Sequence, residues 1–252
     1  MIPLSDENEN REVPYVTYIL IALNVLVFLA DTLRVPAIGF WSMVPWSVIH
    51  DVRREVSATP FGLQISDPLP GIGPHPQWLT IFTSMFMHAG LLHIVGNMWF
   101  LYIFGDNIEA VLGHFKFAIF YIACGVAAAL AHIMSDPSSV IPTVGASGAI
   151  AGVLGAYLLL FPGNRVRTLI WIYFFIEVIE VPAVFFLALW FIGQVTGVLG
   201  SYTTVGGGVA YWAHIGGFVA GMVLIVLLGG WSAAKRQQGY SRPRGRLSRW
   251  EE

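Results

Sequence analysis

Ser147, His214, His93 and Asn97 have the side-chain types and neighbours that acyl-transfer chemistry needs. Ser147 stands in Gly145-Ala146-Ser147-Gly148, followed by Gly152, at the start of an apolar run. A serine at a helix start has unpaired backbone N–H groups beside it, and such groups stabilise a developing oxyanion. Glycine at 145 allows a tight entry, and Gly148 removes bulk beside the hydroxyl. The same Gly-x-Ser-Gly pattern also serves the close packing of membrane helices, so the motif alone leaves both readings open.

His214 lies in Ala213-His214-Ile215-Gly216-Gly217, with Gly221 one turn further on. Ala213, Gly217 and Gly221 form a stripe at i, i+4 spacing that lets another backbone come close, and His214 sits on its edge. A lone membrane histidine serves either as a helix-to-helix hydrogen-bonding group or as a base. A glycine-flanked serine at the same depth favours the base. His93 and Asn97 are four residues apart and share one helical face, where two donors could complete an oxyanion hole. His88, closer to the preceding loop, is expected to hold the entry by hydrogen-bonding backbone. His50, His75, His114 and His132 fall in loops or near segment ends and read as non-catalytic.

These residues must be carried by membrane-spanning elements. The chain is 56% hydrophobic and only 11% charged, where a soluble domain averages about 25% charged residues. One water-soluble core could not hide that much apolar surface. Six stretches approach the ~20 residues that cross a ~30 Å hydrocarbon layer: Pro14–Ala30, a span within Trp78–Gly105, Phe117–Met134, the short Ser147–Phe161, Pro182–Leu199 and Val209–Leu228. The expected fold is therefore all-α, a polytopic membrane protein of six transmembrane helices. A tail at 1–13, a membrane domain over 14–230 and a basic tail at 231–252 complete the organisation. The long connection 31–77 contains Phe40, Trp41 and Trp46, rings suited to the outer interface.

Charge orients the chain. With a cytoplasmic N-terminus, ten basic residues lie inside (Arg11, Lys116, Arg165, Arg167, Lys235, Arg236, Arg242, Arg244, Arg246, Arg249) and three outside (Arg34, Arg53, Arg54). That asymmetry satisfies the positive-inside rule and predicts a multi-pass protein of the cell membrane with both termini cytoplasmic. The acidic start, with Asp6, Glu7, Glu9 and Glu12, argues against a cleaved signal peptide. Cys124 is the single cysteine, so an internal disulfide or a cysteine-based metal site is excluded by arithmetic. A zinc protease would need a His-Glu-x-x-His motif, and the sequence holds no His-Glu dipeptide. An aspartyl intramembrane protease needs two membrane aspartates, and only Asp106, at a segment end, is available. The absence of an internal repeat weakens a transporter reading. No metal, cofactor or nucleic-acid partner is expected.

Taken in order, His93-xxx-Asn97, Gly145-x-Ser147-Gly148 and His214-xx-Gly217-xxx-Gly221 resemble the rhomboid family over Pro14 to about Gly230. The resemblance extends to Gly105-xxx-Glu109-xxx-Gly113, where Glu109 is expected to be structural. It implies an intramembrane serine endopeptidase with a Ser147/His214 dyad lacking a third acidic member. It also implies an oxyanion hole of His93, Asn97 and backbone N–H groups, and substrates that are single-span membrane proteins. Two positions depart from the pattern. The Trp-Arg frequent at the end of the first loop reads Trp78-Leu79, and a tyrosine found in some members four residues after the nucleophile is Ala151. The competing reading is a rhomboid-like protein that binds transmembrane clients without cutting them, although such relatives typically lack the serine or the histidine.

Overall fold

A computed structural model of the chain describes residues 1–8, 12–33, 38–54, 56–59, 62–65, 74–201 and 210–241. It opens with β1 (Ile2–Asp6) and α1 (Tyr15–Leu33), the first expected membrane segment. Only Thr17, Leu20 and Asn24 of α1 are buried, so most of this apolar helix faces outward, as a lipid-contacting helix does. The long connection holds α2 (Ile38–Trp41), α3 (Pro45–His50) and a ribbon of β2 (Val56–Thr59) with β3 (Gly62–Ile65). Its first part is fastened to the segment before Ser147. Met43 and Thr143 exchange backbone hydrogen bonds at 3.0 and 2.7 Å, and Trp46 N donates to Ser139 O at 3.0 Å. Buried Arg53 donates to Phe40 O at 3.0 Å and to Ser42 Oγ at 2.8 Å.

The second expected segment departs from a single helix. Residues Gln77–Phe86, which include α4 (Thr80–Thr83), meet α5 (Leu91–Leu112) at a bend of 79°. α5 leads into α6 (His114–Ser135) through Gly113, whose φ of +76° is a conformation that other residues rarely adopt. At this corner buried Glu109 accepts hydrogen bonds from Val16 N, Thr17 N and Thr17 Oγ1 at 2.7–2.8 Å, and from His114 Nδ1 at 2.6 Å. The structural role expected of Glu109 is thus that of a carboxylate cap on the otherwise unpaired N–H groups opening α1.

After α7 (Ser147–Leu160) the chain forms β4 (Arg165–Ile172) and β5 (Phe175–Pro182), then α8 (Ala183–Ser201), α9 (Tyr211–Leu227) and α10 (Gly230–Ser241). The all-α expectation is corrected here: the protein is mostly α-helical, with five strands among the described residues. β4 and β5 are a hairpin, and β1 pairs antiparallel with the outer edge of β4 to give the order β1-β4-β5. The physical reason lies in Val166, Thr168, Ile170, Ile172, Ile176, Val178, Ile179 and Val181, a density of β-branched side chains that favours strands.

By length and composition, two helices are fit to cross a membrane, Tyr15–Leu33 and His114–Ser135, or three if the bent pair counts as one span. The other expected segments are shorter apolar helices: Ser147–Leu160, Ala183–Leu199 and Tyr211–Leu227. The core lies where α5, α6, α7 and α9 meet, with Phe104, Phe117, Phe120, Tyr121 and Tyr157 fully buried.

Candidate active site

The site is built on a close helix pair. A Cβ at Gly217 would overlap the carbonyl oxygen of Gly148, and one at Gly221 would overlap that of Gly152. Both contacts advance in the same chain direction, so α7 and α9 run parallel with their backbones touching. On the other side, Gly152 packs against Cys124 of α6, and Gly148 against Ala128. Cys124 is thereby a buried core residue.

This register brings the first residue of α7 level with the first turn of α9. His214 Nε2 lies 2.8 Å from Ser147 Oγ. Both side chains are partly exposed, so a reacting group can reach them. The loop before Ser147 turns at Gly145, with φ +121°, and Gly145 N donates to Ser84 O at 2.9 Å. A Cβ at Gly145 would stand 2.8 Å from His93 Nε2 and 3.5 Å from Asn97 Nδ2. Glycine here therefore provides both the backbone conformation and room for the two α5 side chains. Asn97 is buried, and its Nδ2 has no hydrogen-bond partner among the described residues. The helix proper begins with Ile150 N bonding Ala146 O at 3.0 Å, so the N–H groups of the residues between are those an α-helix leaves without an internal partner. A hydroxyl beside an imidazole nitrogen, next to an unspent amide donor and a helix N-terminus, has the parts of an acyl-transfer site.

Residues 75–231, more than half of the chain, match the family model for the rhomboid domain. The chain belongs to the rhomboid family. It is a rhomboid-family membrane protein with similarity to several curated members. It is 34% identical over 89 residues to Rhomboid protease GluP of Bacillus subtilis (strain 168), covering 35% of this chain and 17% of that protein. Rhomboid-like protein 11, chloroplastic, of Arabidopsis thaliana is 29% identical over 163 residues, 65% of this chain and 57% of the relative. Rhomboid protein 1, mitochondrial, of Saccharomyces cerevisiae is 29% identical over 161 residues, with 62% and 42% covered. The chain spans less than two thirds of the length of each of these rhomboids.

All four site residues singled out in the sequence meet around Gly145 and Ser147. His214 has two further neighbours in this rhomboid that no sequence motif marks. Gln194 Oε1 lies 2.7 Å from His214 Nδ1, and the Trp190 ring lies 6.0 Å from the imidazole at 34°. Ala151, where the sequence departs from the family, is fully buried. The available signal was Gln194 itself, a polar residue within an apolar segment. His88 is buried and lies edge-on to His93, with ring centroids 5.1 Å apart, and neither ring nitrogen has a hydrogen-bond partner among the described residues, against the backbone hydrogen bond expected of it. The remaining histidines have local partners: His50 stacks on Trp46, His114 meets Glu109, His132 Nε2 meets Thr143 Oγ1 at 3.1 Å, and His75 approaches Asp51 at 3.9 Å. A cavity of about 400 Å³ opens at the far end of α7, lined by Phe161, Asn164, Trp231 and Lys235, away from Ser147.

Proposed function

We propose that the chain is an intramembrane serine endopeptidase, with Ser147 as nucleophile and His214 as general base, acting on proteins anchored by a single membrane segment. The observation that carries this reading is the 2.8 Å approach of Ser147 Oγ to His214 Nε2. Membership of the rhomboid family and similarity to a relative named as a protease support it. In the reaction, Oγ attacks the scissile carbonyl as its proton passes to Nε2. The oxyanion is received by Asn97 Nδ2, by His93 and by backbone N–H groups at the start of α7. His214 then returns the proton to the leaving amine, and water, activated by the same imidazole, releases the acyl group from Ser147. No metal or cofactor enters these steps.

The reading includes a six-helix core of the bacterial and archaeal kind within residues 14–230, a multi-pass position in the cell membrane, and cytoplasmic termini. The 14 residues of α7 span ~21 Å, against a ~30 Å hydrocarbon layer. With its inner end at the cytoplasmic interface, Ser147 lies roughly 9 Å below the outer one. Cleavage then falls in or beside the outer part of the substrate's membrane segment, after local unwinding of the substrate helix.

The test is cleavage of a panel of single-span substrates, with products mapped by mass spectrometry, by wild type, Ser147→Ala and His214→Ala. Each variant is expected to lose activity almost completely, because a coupled nucleophile and base fail together. Equal cleavage by Ser147→Ala would end the serine-protease reading. Binding of the panel without cleavage by wild type would favour the non-catalytic client-binding alternative.

A further inference from the structure

We propose that Gln194 is the positioning residue of the Ser147/His214 pair, its amide oxygen holding the imidazole in the tautomer whose Nε2 lone pair faces the serine hydroxyl. The proposal rests on the reading of Ser147 and His214 as nucleophile and base.

Three contacts converge on the His214 ring. Nε2 meets Ser147 Oγ at 2.8 Å, Nδ1 meets Gln194 Oε1 at 2.7 Å, and one side of the ring lies near Trp190. Gln194 Nε2 donates to Trp190 O at 3.4 Å, which turns the oxygen of the amide toward His214. An amide oxygen accepts and never donates, so the Nδ1 beside it must carry the proton. A neutral imidazole protonated on Nδ1 presents a lone pair at Nε2, where a general base needs one to take the Ser147 proton. The other tautomer would set the Gln194 oxygen against the Nδ1 lone pair, losing that hydrogen bond, and would turn Nε2–H on the serine oxygen as a donor, leaving no lone pair to take the Ser147 proton.

Trp190 and Gln194 are one turn apart on α8 and share a face. Trp190 is itself held against Phe218 of α9, with centroids 5.9 Å apart at 27°. The ring of His214 is thus bounded on one side while its far nitrogen is tied down. A glutamine in this place also fits the medium. A buried carboxylate costs far more desolvation than an amide, and the amide fixes orientation and tautomer without adding charge.

The experiment uses the full-length protein in lipid, with its seven histidines labelled with ¹⁵N and His214 assigned by its absence in H214A. Wild type should show His214 protonated at Nδ1. Q194L keeps the bulk and removes the acceptor. It should show a tautomer mixture and a kcat lower by about a hundredfold at unchanged KM, the scale expected when a reacting group loses its alignment. Q194E, which restores an acceptor, should return the Nδ1–H signal and most of kcat. Should Q194L fail to fold, Q194N, whose oxygen is one methylene short, takes its place. A Q194L protein with the wild-type tautomer overturns the proposal, whether its kcat is unchanged or falls together with thermal stability and KM. If S147A cleaves as wild type does, the protease reading falls separately, while the histidine spectrum still reports whether Gln194 sets the tautomer.

Discussion

At Asn97 a buried amide nitrogen, close to Gly145, stands without a hydrogen-bond partner among the described residues. An unpaired buried donor costs about 1–3 kcal/mol, a cost that is recovered when an oxyanion arrives to accept the bond. Asn97→Ala should therefore leave thermal stability unchanged or raised, and lower kcat by about a hundred- to a thousandfold, the loss typical of one oxyanion donor. Steady-state kinetics beside a melting curve checks both halves. Asp6 offers a second residue-scale test, outside the membrane segments. Burial raises its carboxyl above the usual range, despite the hydrogen bond from Tyr157 Oη at 2.7 Å. A raised folded-state value means that folding favours the protonated acid. Its stabilising contribution is fully present below the unfolded value and is lost as pH rises through the folded one. Melting temperature should fall as pH rises above the ordinary carboxylate range, and Asp6→Asn should flatten that dependence. An identical slope in the variant would remove Asp6 as its source.

The pairing of α7 with α9 shows why small residues recur in these two helices. Ser147 and His214 are 67 residues apart in the chain, and only the backbone contact at Gly148/Gly217 and Gly152/Gly221 brings their ends level. Gly221→Val places a branched side chain on the carbonyl of Gly152, which must move. Overpacking of this kind costs about 1–3 kcal/mol. We expect Gly221→Val to lower the melting temperature and to reduce activity severely although it lies two turns from His214. Exposed Gly96, where an added Cβ meets nothing within 4 Å, supplies the control: Gly96→Ala should be nearly silent. The β1-β4-β5 sheet acts at the same scale, tying the chain's first residues to the helices. Trp99 Nε1 donates to Pro3 O at 2.6 Å, and Tyr157 Oη reaches Asp6.

For the whole molecule, the unequal helix lengths and the bend before α5 matter more than a count of spans. A helix of only 14 residues is held in place because α5, α6 and α9 surround it. The part of the 31–77 loop around Met43 and Trp46 is fastened to the segment leading into Ser147. The charge asymmetry of ten basic residues against three predicts that reporter fusions or accessibility labelling will place both termini in the cytoplasm and this loop outside. A C-terminus labelled from outside would refute the expected six-span topology.

Much of the site was legible in the sequence because membrane chemistry makes polar residues conspicuous. Ser147, His214, His93 and Asn97 stand out against apolar segments, and the glycines beside them announce close packing. Helix positions followed from the same contrast: α1, α6, α7 and α9 lie within a few residues of their expected bounds. The bend at Met87–Gly90 was invisible because its flanks are equally apolar, and hydropathy reports burial in lipid without direction. The β4–β5 hairpin is not legible from hydropathy, because Glu177 and Glu180 interrupt the apolar pattern and the pairing of its β-branched residues is a long-range choice. Gln194 and Trp190 could not be joined to His214 by spacing, since they lie on a different helix and meet it only through the packing of α8 on α9. The residues able to do the chemistry were determined by the sequence. Which nitrogen of His214 faces the serine was decided only by the tertiary structure, because that choice depends on a hydrogen bond between two helices.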